Sequence, residues 1–83
     1  MLTAQEILNQ IRWDERLTAD AFVIGFYDRV EDKIIKVAFS EIRFPEDHHF
    51  QFEIIDDEGE LRSIPYHRVR EIYRNGQLIW HRD

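Results

Sequence analysis

The chain has 83 residues, 43% of them hydrophobic and 13% aromatic, and no cysteine. That length allows one thin core covering roughly 60% of the unfolded surface; disulfides and thiolate metal sites are excluded, and so apolar a chain is not a disordered one. The formal charge is −6, from 11 basic and 17 acidic side chains, an average that speaks against nucleic acid, since phosphate binding runs on Lys and Arg.

A helix is expected from about Ala4 to Arg12. Thr3 and Glu6 are spaced as a capping box, and Leu2 with Ile7 as the matching hydrophobic staple. Ile7, Leu8 and Ile11 form a short apolar stripe at helical spacing. Residues 1–6 lack the basic segment and apolar run of a signal peptide, and no apolar run approaches the ~20 residues of a spanning helix. A soluble, cytoplasmic protein is expected.

From Phe22 onward β-branched and aromatic residues dominate, in short runs broken by turn residues. Strands are predicted near residues 22–29, 33–39, 49–55, 60–64, 69–74 and 77–81. Asn75-Gly76 is a hairpin signal, because a type I′ turn needs positive φ twice. Phe50, Phe52 and Ile54 fall on one face of their strand, with Ile55 off it. Gly25 inside a strand predicts a bulge or a close backbone approach. The predicted fold class is α+β: an N-terminal helix followed by five or six short antiparallel strands forming a small curled sheet or half-barrel. Residues 1–83 read as a single domain, with the helix over an open end or face of the sheet. Sm-like and SH3-like barrels share this outline at the level of fold class.

Charge is unevenly spread. Residues 1–61 sum to −9, whereas residues 62–83 carry five arginines against Glu71 and Asp83 and sum to +3. Such asymmetry points toward an anionic partner; the competing reading is that basic and acidic strands pair on the surface.

No cofactor and no metal is expected. His48 and His49 are neighbours in a predicted strand and so point to opposite faces, with no third ligand at a recognisable spacing. Asp56 to Glu60 lacks the ligand spacing of a calcium loop and reads as a solvated hairpin turn. There is no glycine-rich phosphate loop, and Ser40 and Ser63 lack a nucleophile-elbow setting. His67 and His81 form a conceivable acid–base pair for a phosphodiester, but neither lies in the His-x-Thr or His-x-Ser tripeptide of two-histidine phosphoesterases.

The best candidate site is Ile64-Pro65-Tyr66-His67-Arg68-Val69-Arg70. Pro65 has no amide for a ladder and ends its strand. A ring, an imidazole and two guanidiniums then follow within five positions. Guanidinium is planar, always charged and bonds phosphate bidentately; Tyr and His rings stack on unpaired bases. Trp13 and Trp80 are further candidate stacking platforms. Against this, large aromatics in a short domain are often core.

Read end to end, the sequence resembles a small archaeal family, the RNA cyclic group end recognition domain. The matching pieces are Ile11-Arg12-Trp13-Asp14, Ile24 to Arg29, Phe39 to Ile42, Ile64 to Tyr73 and Asn75 to Arg82. The resemblance covers nearly the whole chain. It implies recognition of processed RNA ends, including 2′,3′-cyclic phosphates, in RNA repair or processing. It also implies partners among phosphoesterases and nucleotidyltransferases, to which similar eukaryotic domains are fused. His67 to Arg70 match the family's most distinctive polar motif, and Asp28-Arg29 and Trp13-Asp14 match two more.

Three functions are therefore expected to compete. In the first, Arg68 and Arg70 hold a terminal phosphate at an RNA 3′ end and His67 donates to it. Tyr66 or Trp80 stacks the last base, and Arg29 and Arg82 extend the positive surface, with Trp13 and Asp28 at the same site. The second is a protein-interaction adaptor without direct RNA contact, and the third a cyclic phosphodiesterase using His67 and His81. Five arginines bonded to acids would favour the adaptor; a free arginine cluster beside a ring-lined groove would favour RNA.

Overall fold

The computed structural model describes residues 3–17, 19–47 and 50–82. Helix α1, Ala4–Trp13, starts where the sequence places it. Thr3 Oγ1 accepts from the Glu6 amide at 3.2 Å, and the Glu6 carboxylate accepts from the Thr3 amide at 3.4 Å, the reciprocal capping box. Leu2, His48 and His49, on which the staple and the metal-pair readings fall, lie outside the described residues. Ala4, Leu8 and Ile11 are buried, and Ile7 packs against the same core. This docking sustains a helix whose length is marginal in water on its own.

Six strands follow: β1 Phe22–Asp28, β2 Lys33–Ala38, β3 Gln51–Ile55, β4 Leu61–Pro65, β5 Val69–Arg74 and β6 Gln77–His81. All pairings are antiparallel. The α+β outline expected from the sequence is what forms, but the strands do not close into a barrel. They divide into a four-stranded sheet, β2-β1-β5-β6, and a two-stranded sheet, β3-β4. After β2 the chain bends through a 3₁₀ turn, Phe39–Glu41, and buries Ile42. It pairs with β3 at an isolated Arg43–Glu53 bridge, with reciprocal backbone hydrogen bonds of 2.8 Å.

Strand β1 is central, pairing with β2 on one edge and β5 on the other. Phe22, Ile24 and Phe26 are buried in the core, so Val23, Gly25 and Tyr27 take the opposite, outer face. Phe26 meets Phe52 of β3 edge-to-face, with ring centroids 6.4 Å apart. That contact ties the two sheets together and contributes about 0.5–1.5 kcal/mol beyond burial. Phe52 and Ile54 face this core as expected, but Phe50 is 80% exposed. The paired residues end at Gln51–Pro65, a position that asks no amide of Pro65, and the Tyr66 amide closes the end by donating to the Phe50 carbonyl at 3.0 Å.

At Gly25 the expected bulge forms, and side chains instead of backbone make the close approach. The β1–β5 register shifts between Gly25 and Phe26. A Cβ built on Gly25 would lie 3.0 Å from Glu71 Oε1 and 3.1 Å from Ile34 Cγ2. Asn75 and Gly76 have φ of 51° and 84°, the double positive φ of a type I′ turn. The Asp56–Glu60 segment is an exposed turn closed by the Asp56 side chain, which accepts from the amides of Glu58 and Glu60, both at 2.9 Å.

Candidate nucleic-acid interface

Beyond Pro65 the chain makes a 3₁₀ turn, Tyr66–Arg68, before β5 begins. The turn splits the candidate motif between two sides of the sheet. Tyr66 goes inward against Phe52, ring centroids 5.6 Å apart, and His67 stays exposed. Gly25 pairs with Glu71 and Phe26 with Val69, which leaves Arg70 as the extra residue of the bulge.

Arg70 and Arg82 converge on one backbone oxygen. Arg70 Nη1 donates to the His67 carbonyl at 2.5 Å, and Arg82 Nη2 donates to the same carbonyl. Arg82 Nε donates to the Val69 carbonyl at 3.0 Å, and the Arg82 amide to the Arg70 carbonyl at 2.9 Å. Neutral carbonyls orient the guanidiniums without cancelling their charge, and each guanidinium keeps further N–H donors for a ligand. The two side chains, with Ile34, Glu71, Leu78 and His81, line an open groove of about 370 Å³ on the outer face.

Arg68 is half-buried and makes no hydrogen bond or ion pair among the described residues. It lies near Tyr27, whose hydroxyl donates to the Asp32 carboxylate. That hydrogen bond is the main reason the Tyr27 phenol is held above its ordinary pKa; burial and the Asp32 charge add to it, and the Arg29 and Arg68 charges oppose it.

The five C-terminal arginines divide by partner. Arg62 pairs with Asp28 at 3.1 Å and Arg74 with Asp20 at 2.5 Å. Arg68, Arg70 and Arg82 make no ion pair among the described residues. The fully paired surface, one of the two readings of the charge asymmetry, is not what forms.

Other candidates are placed differently. Asp28, expected at the site, is 3% exposed. Its Oδ1 accepts from the amides of Val30 at 2.9 Å and Glu31 at 3.5 Å, and its Oδ2 from Arg62. The Arg62 bond, aided by the two amides, holds the carboxyl below the ordinary aspartate pKa against the opposing effect of burial. Its work is to anchor the β1–β2 turn. Tyr66 and Trp80 are half-buried against the core, so both rings are largely committed to packing. Burial raises the Tyr66 pKa, and the Arg12 charge opposes the rise. Trp13 is 72% exposed at the end of α1, with the Arg12 guanidinium 4.6 Å from its ring centre and 4.7 Å from that of Phe44.

Sequence reasoning missed Glu71, Ile34 and Leu78 in the groove, and weighed His81 only as a catalytic partner. The alternation of β1 signals that Tyr27 and Gly25 share the outer face. Nothing in the sequence signals that Gly25 faces Glu71, a pairing between distant segments.

Fold and site together define a small α+β module with a basic, carbonyl-braced groove on one sheet. The chain belongs to the family described as the MJ1316 RNA cyclic group end recognition domain, whose family model matches residues 1–82. Among similar curated proteins are the UPF0248 proteins of Saccharolobus islandicus strains L.S.2.15 and Y.G.57.14. Each is 32% identical over 81 residues, covering 94% of this chain and 96% of the relative. No solved structure matches the chain significantly. No helix among the described residues is long and apolar enough to cross a membrane.

Proposed function

We propose that the chain binds the 3′ end of RNA and takes a terminal phosphate, including a 2′,3′-cyclic phosphate, in the groove lined by Arg70, Arg82 and His81. The observation that carries this reading is the convergence of Arg70 and Arg82 on the His67 carbonyl instead of on a carboxylate. Two guanidiniums braced this way are oriented before the ligand arrives, which lowers the ordering cost of binding. Arg68 adds a charge with no acid partner among the described residues; His81 supplies an imidazole in the groove lining, and His67, next to Arg68 in the chain, is exposed. Arg29 extends the same surface past Tyr27.

The family's description, an RNA end recognition domain, supports the same direction. Such a module belongs beside an enzyme that makes or consumes these ends, of phosphoesterase or nucleotidyltransferase type, in RNA repair or processing. The role is binding, not turnover: incubation with a nucleoside 2′,3′-cyclic phosphate leaves the ring intact, whereas an opened product would reinstate His67 and His81 as a catalytic pair.

The test is affinity for short RNAs ending in cyclic phosphate, 3′-phosphate or hydroxyl, across a salt series. Affinity falls with salt by about 0.7 log units per log unit of salt for each phosphate neutralised on a single strand. Arg68→Ala lowers that slope by about one contact without unfolding the chain. Equal, negligible affinity for all three ends refutes the reading, as does an Arg68→Ala, Arg70→Ala variant that binds like the parent.

A further inference from the structure

A second surface is unused by the RNA reading. It is a cleft of about 580 Å³ between β2 and the β3–β4 hairpin, in the gap left where the strands fail to close into a barrel. Strand β2 pairs only with β1 in its sheet, so its other edge carries unpaired backbone N–H and C=O groups. Four consecutive β2 residues, Ile35 to Ala38, line the cleft. Successive side chains alternate in direction, so a cleft touching all four runs along the strand's edge and not over one face. Ile54 and Ile55 of β3 form the opposite wall, and Phe26, Ile35, Val37 and Ile54 supply apolar lining.

The rim is strongly acidic. Glu31, Glu41, Asp57, Glu58 and Glu60 surround the opening. Of these, only Glu31 makes an ion pair among the described residues, an exposed one to Lys33 at 3.3 Å. Arg62, the one arginine lining the cleft, is engaged with Asp28. The Lys36 ammonium is turned to the outer face, 4.6 Å from the Tyr73 ring centre. The features that point to a ligand are the free ladder edge and the apolar lining, and the carboxylates state its charge.

We propose that this cleft docks an extended segment of another protein, with apolar residues alternating with Lys or Arg, added as a strand to the free edge of β2. Strand addition takes its affinity from main-chain hydrogen bonds and its selectivity from alternate side chains. Apolar residues of the incoming strand enter between Val37 and Ile54, and its cations meet the rim. A second copy of the chain is disfavoured, because residues 1–61 sum to −9 and would face an acidic rim. This inference is independent of the RNA site.

The test is an amide NMR titration of the whole chain with an alternating Lys–Val peptide of about eight residues, a typical strand length. Controls are the alternating Glu–Val peptide and a Lys–Val peptide N-methylated at alternate backbone positions. The expected result is saturable shifts across Lys33 to Ala38 and Ile54 to Glu60, none from the Glu–Val peptide, and weaker binding after methylation. A Glu41→Lys, Glu58→Lys, Glu60→Lys variant, altered only at exposed positions, should bind the Lys–Val peptide about tenfold or more weakly, the scale of several lost rim charges. Absence of shifts on β2, equal affinity of that variant, or indifference to methylation overturns the proposal. Self-association of the chain alone through β2 also overturns it, by making a second copy the occupant.

Discussion

Replacing Arg62 with methionine isolates the one ion pair among the described residues that has a buried carboxylate. Asp28 is 2% exposed at its side chain and Arg62 34%, with 3.1 Å between Nη1 and Oδ2. The substitution keeps the apolar stem and removes the charge, leaving the carboxylate to the amides of Val30 and Glu31. A charge-assisted hydrogen bond to a buried group is worth about 1.5–3 kcal/mol. Partial exposure of Arg62 screens the pair toward the lower end, so the expected loss is about 1.5 kcal/mol at pH 7. In a domain of this size that is a fall in melting temperature of about 6–12 °C. The pH dependence carries the sign. The fold holds Asp28 ionised below its unfolded value of about 3.9. Its contribution is therefore complete above that value and disappears as pH drops through the lower, folded value. Calorimetry of parent and Arg62→Met at pH 7, 5 and 3 should show the gap intact at the first two and narrowed at the third. Equal melting temperatures at pH 7, or a gap that widens on acidification, would refute the reasoning.

Leu8 is wholly buried at the α1 contact; Leu8→Ala should cost about 2–5 kcal/mol, a large share of so small a core, and denaturant titration reads it directly. Gly76→Ala, at φ of 84°, should cost about 1–2 kcal/mol through left-handed strain alone, leaving far-ultraviolet circular dichroism unchanged below the transition. Gly25→Val forces a side chain toward Glu71 and Ile34 and displaces the carboxylate that accepts from the Tyr73 hydroxyl at 3.0 Å. We expect about 1–3 kcal/mol of overpacking, together with weaker RNA binding as the groove floor rises.

The legible part of this fold is the local part. Thr3 with Glu6, Asn75 with Gly76, and Pro65 each act within a few residues, and each ends or starts an element where the sequence places it. Which strands meet was not legible. β1 pairs with β5 across more than forty positions, and that pairing puts Gly25 under Glu71 and frees Arg70 as a bulge residue. The site divides the same way. Composition showed where the arginines cluster, but a guanidinium's partner is a matter of register. Arg62 and Arg74 found acids far away in sequence, Asp28 and Asp20, while Arg70 and Arg82 found a carbonyl. Asp28 turned inward, because a short acid at the end of β1 is well placed to cap the next turn.

The central claim is that the carbonyl-braced groove receives the RNA terminus. The most direct measurement is an amide and side-chain NMR titration of the whole chain with a short single-stranded RNA bearing a 2′,3′-cyclic phosphate. The account requires saturable shifts at Arg68, Arg70, His81 and Arg82, weakened by salt and absent for the same RNA with a 3′-hydroxyl. Shifts confined to other surfaces, or none at millimolar RNA and low salt, would contradict it.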